Sequence, residues 1–110
     1  MKQAQIYMRR QYAGILTEDE TGYSFCYDNG YLHAKDAEAI SLTLPLQEEI
    51  YRSKILFPFF DGLIPEGWLL DVAGRNWKIN LHDRMSLLLA CCKDCTGAVS
   101  VVPIEKMRYE

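Results

Sequence analysis

Residues Tyr23-Ser24-Phe25-Cys26-Tyr27 alternate strictly, with an aromatic ring at every second position. Side chains on a strand point to opposite faces in turn, so this run reads as a half-buried strand with Tyr23, Phe25 and Tyr27 on its inner face. Asp28-Asn29-Gly30 stops it with turn chemistry. A sheet with one buried face must be covered, and the rest of the chain has to supply both further strands and the cover. Upstream, Ile6, Met8, Tyr12, Ile15 and Leu16 favour extended structure. Gly14 marks a bulge or a close backbone approach, and Thr17 to Gly22 forms a polar turn. Ile40-Ser41-Leu42-Thr43-Leu44 alternates again and is expected to be a strand ended by Pro45, while Gln47 to Lys54 reads as polar surface.

The second half changes period. Pro65-Glu66-Gly67 has the residue types of a helix start, since proline suits the first turn and glutamate complements the dipole there. Trp68, Leu69, Val72, Ala73 and Trp77 follow at helical spacing, which predicts a helix over about 64–76 with Trp77 in the core. Asp83 is placed to cap a second helix through Met85, Leu87, Leu88, Leu89 and Cys92. Ala98 to Val102 reads as a closing strand before Pro103, and the polar tail from Glu105 to Glu110 frays. The order of strands, two helices and a strand predicts one α+β domain over residues 1–110, a mainly antiparallel sheet with about two helices packed on one face. The length of 110 residues allows one modest core, and 49% apolar with 25% charged residues is ordinary for a soluble globular protein.

Several function classes lose support. The net charge is −3, and Arg9-Arg10 is the one basic cluster, so direct nucleic-acid binding is not expected. No apolar run approaches the roughly 20 residues that span a bilayer, and the N-terminus lacks a signal-peptide core. A cytoplasmic location is therefore expected, and Cys26, Cys91, Cys92 and Cys95 are expected to be free thiols. Cys92-Lys93-Asp94-Cys95 invites a zinc or a redox reading. No second CxxC or histidine pair completes a zinc site, and the motif closes a helix where a redox motif opens one. Packing at a helix end is the preferred reading, with no metal and no cofactor. His33 and His82 sit in polar surroundings and read as surface residues. Asp61 and Glu66 stand five residues apart, and turn and helix-start roles suit them better than a catalytic carboxylate pair. No enzyme is expected.

The run Phe59 to Trp68 concentrates aromatics, a Pro-Glu-Gly turn and an indole away from any catalytic group. It suits a binding surface. Trp68 is either a core plug or a protein-contact anchor, and Leu63 and Ile64 beside it extend an apolar patch.

Taken in order, Tyr23 to Asp28, Ile40 to Leu46, Phe59 to Gly67 and Asp94 to Val99 resemble the HipA N-terminal subdomain over nearly the whole chain. The Pro65-Glu66-Gly67 and Asp94-Cys95-Thr96-Gly97-Ala98 elements together carry that resemblance. HipA proteins are serine/threonine kinase toxins of bacterial toxin–antitoxin operons, and this subdomain holds none of their catalytic residues. No kinase motif is present here, so the chain resembles the free-standing HipS-like component of HipBST systems. The resemblance implies an antitoxin that neutralises a HipT/HipA-like kinase by protein contact, with a HipB-like helix-turn-helix protein as a further member of the complex. The alternative is a structural subunit that completes a split HipA-like kinase. The expected partner-binding residues are Asp61, Leu63, Ile64, Pro65, Glu66 and Trp68, with Leu63, Ile64 and Trp68 as buried anchors. In the fused kinases an arginine commonly follows the Pro-Glu-Gly element; here Trp68 stands in its place.

Overall fold

The computed structural model describes residues 1–75, 80–91 and 98–104, with 72–75 as backbone only. Strands β1 (Lys2–Met8), β2 (Gln11–Asp19) and β3 (Gly22–Tyr27) form a meander. Strand β4 (Tyr51–Ser53) pairs with β3, and β5 (Val99–Ile104) returns to pair with β1. The sheet is antiparallel throughout, in the order β4-β3-β2-β1-β5. Among the described residues four helices accompany it: α1 (Asn29–Leu32), α2 (Pro58–Asp61), α3 (Glu66–Arg75) and α4 (Arg84–Cys91). The architecture is the α+β class read from the sequence. The two longer helices are the expected pair, and α1 and α2 are additional single turns.

Register explains which face is inside. Leu16 stands opposite both Ala4 and Phe25, and Ile6 stands opposite Val101. All five are fully buried. Tyr27 faces Gly14 across the β2–β3 ladder, and the β1–β2 register slips between Ile6 and Tyr7. Both readings of Gly14 therefore apply. A Cβ there would lie 2.3 Å from the Cys26 carbonyl oxygen and 3.0 Å from the Tyr27 Cα, and neither is a flexible side-chain end. Gly14→Ala is expected to cost about 2 kcal/mol of stability, read as a lower urea midpoint at unchanged m-value.

The segment Ile40 to Leu44 departs from expectation. Ile40 and Leu44 are buried, but Leu42 is 100% exposed and Ser41 and Leu44 form only an isolated bridge. Tyrosine hydroxyls supply what a ladder would have supplied. The Tyr27 hydroxyl accepts from the Ile40 N–H (3.0 Å) and donates to the Leu44 carbonyl. The Tyr31 hydroxyl accepts from the Glu38 N–H (3.0 Å) and donates to the Glu38 carbonyl (2.6 Å). The Tyr51 hydroxyl donates to the Pro45 carbonyl at 2.6 Å. With its polar backbone atoms met by side chains, the segment is a pinned loop.

Three boundaries also differ. Within Gln47–Lys54, Tyr51–Ser53 is a strand, half-buried at Tyr51 and Ser53 where it crosses the sheet edge. Thr17 to Asp19 belongs to β2, so the turn narrows to Glu20 and Thr21. Pro103 lies inside β5 and does not end it. β5 is an edge strand, where a residue without an N–H is tolerated on the side facing solvent. Trp77, Cys92, Cys95 and the tail from Glu105 lie outside the described residues.

Candidate functional site

The Phe59–Trp68 run is held by a short series of turns. Pro58 occupies the first turn of α2, where its missing N–H costs nothing. The N–H groups of Asp61 and Gly62 donate to Phe57 and Pro58, and those of Leu63 and Ile64 to Phe60 and Asp61, at 2.9–3.2 Å. Phe60 and Ile64, four residues apart, both point inward. Phe60 is fully buried, its ring centroid 5.6 Å from that of Phe25 and 5.2 Å from that of Phe59. α3 then starts at Glu66, and Leu69 N–H donates to the Pro65 carbonyl at 3.1 Å.

One polar contact fixes this unit to α4. The Arg84 guanidinium Nε donates to Asp61 Oδ1 at 2.6 Å, and Arg84 also reaches the Leu81 carbonyl at 3.2 Å. Asp83 performs the capping role read from the sequence: its carboxylate accepts from the Ser86 N–H (3.3 Å) and hydroxyl (2.8 Å). Lys2 Nζ lies 3.6 Å from Glu18 and 3.9 Å from Asp83, bringing the start of β1 to the same rim. With side chains 31% and 40% exposed, the Arg84–Asp61 pair contributes less than about 1 kcal/mol and serves mainly to set position. Acidic groups dominate the rim. Burial pushes the Tyr23 hydroxyl up to about 12, and the Glu18 hydrogen bond and the charges of Glu18, Asp83 and Asp61 push the same way.

The six residues singled out in the sequence therefore divide. Ile64 is 6% exposed and belongs to the core, so its contribution is to hold the loop. Leu63 and Trp68 are half-buried and pack against that core, each with part of its surface outward. Asp61 is half-buried on Arg84, while Pro65 and Glu66 are exposed. The plug and anchor readings of Trp68 are compatible with one half-buried indole. Leu70, not among the six, is 73% exposed two residues on, about 200° round α3 from Trp68. Only its place in an otherwise apolar Trp68-Leu69-Leu70 triplet marked it in the sequence. Gly67 is exposed, and a Cβ built on it meets nothing within 4 Å.

Among the described residues, no group of three or more His, Cys, Asp or Glu is arranged to hold a metal ion. His33 and His82 are exposed. No described helix is long and apolar enough to cross a membrane.

Comparison with known proteins agrees with this geometry. An uncharacterized protein of Haemophilus influenzae is 29% identical over 101 residues, covering 92% of each chain. A solved structure described as the N-terminal domain of HipA toxin superposes with a TM-score of 0.77 at 25% identity. The match spans 97% of this chain and 96% of that one. Residues 4–102 match the HipA N-terminal domain family, a span that takes in all five strands except Lys2-Gln3 of β1 and Pro103-Ile104 of β5, together with the pinned loop and the whole Phe59–Trp68 unit; the chain belongs to that family.

Proposed function

We propose that this chain is an antitoxin that binds a HipT/HipA-like serine/threonine kinase and neutralises it by protein contact in the cytoplasm, through the surface formed by Leu63, Pro65, Glu66, Trp68 and Leu70. Family membership supports a HipA-related component of a toxin–antitoxin system. The Haemophilus influenzae relative, aligned over 92% of both chains, is a protein of nearly the same length. A non-catalytic role fits a domain whose polar groups are engaged in caps, turns and loop pinning.

Gly67 carries the reading. It sits in the first turn of α3 without a neighbour that demands a missing side chain. Glycine in a helix costs roughly 0.5–1 kcal/mol relative to alanine. No described neighbour requires its missing side chain, and what it offers is a place where another chain can approach the backbone between Glu66 and Trp68. Asp61 and Ile64 hold that opening in place, and the exposed Leu70 supplies apolar contact area. A HipB-like DNA-binding protein joins the same complex in this proposal.

The decisive experiment is growth of a bacterial host expressing the kinase with and without this chain. Rescue only in its presence supports the antitoxin; arrest only when both are present means that the chain completes the kinase instead. Gly67→Ala adds a second arm. It is expected to raise thermal stability slightly while reducing rescue. A Gly67→Ala chain that rescues as well as the wild type would remove the close-approach argument.

A further inference from the structure

We draw no further inference here: the strongest candidate, the open cleft of about 410 Å³ at the β4 edge of the sheet, where Arg52 and Lys54 stand beside Ser24 and Asp19, has only exposed charged groups, and nothing in the structure shows what occupies it.

Discussion

Tyr27→Phe is expected to cost about 3 kcal/mol. The ring stays, and with it the edge contact to Phe25 (centroids 4.9 Å) and the stack on Tyr31 (6.2 Å, 6°). What disappears is one oxygen that serves two backbone groups at once, the Ile40 N–H and the Leu44 carbonyl. Ile40 and Leu44 are both buried, so neither group regains water easily, and an unmet buried polar group costs about 1–3 kcal/mol. Urea titration reads the loss directly; a midpoint within error of wild type would show that the hydroxyl is not what pins the loop.

The same oxygen gives the protein an alkaline limit. Burial pushes Tyr27 up to about 12, the Ile40 hydrogen bond opposing only in part. An unfolded tyrosine loses its proton near pH 10, so between about 10 and 12 the unfolded chain binds fewer protons than the folded one. Stability is fully present below about pH 10 and drains as pH rises through that window. In Tyr27→Phe that contribution is absent, and the alkaline transition is expected to be shallower.

Trp68→Ala carries the largest expected functional effect. A half-buried indole on a docking surface typically contributes ~2 kcal/mol or more, which is about thirtyfold in affinity. Because Trp68 also packs on the core, its removal also costs stability, and circular dichroism must first establish that the variant folds. Leu70→Glu provides the cleaner companion, since Leu70 is 73% exposed and its loss leaves the core untouched. Both variants are expected to fold and to fail in rescuing growth from the kinase. If both fold and rescue like wild type, the Phe59–Trp68 unit is not the docking surface.

Much of this was legible in the residues. The Tyr23–Tyr27 alternation, the Asp83 cap and the Gly14 close approach follow from local chemistry, and each sits in the structure as read, whereas Asp28, read as part of a turn, caps the single-turn α1. The misreadings share a cause. Ile40 to Leu44 has strand periodicity, but alternation cannot show that a tyrosine hydroxyl thirteen residues upstream will satisfy the backbone in place of a neighbouring strand. β4 hid in a polar stretch because its three residues sit at the sheet edge, with Tyr51 and Ser53 half-buried and Arg52 exposed. The Arg9-Arg10 turn carries none of the glycine or asparagine that announces a hairpin. Within the candidate site, the sequence identified the unit but not its polarity: only folding shows that Ile64 turns inward and Leu70 outward.

The strand order has a consequence for how the protein is made. β1 is synthesised well before β5, yet it lies inside the sheet, and its second neighbour is β5. While the ribosome works through the intervening residues, on the order of ten seconds, the Gln3–Met8 backbone has an open flank that nothing yet occupies. The nascent chain is thus vulnerable to proteases and to stray strands throughout its synthesis. A cell that slows translation prolongs that exposure for every new copy, so the supply of finished protein falls faster than the rate of its synthesis.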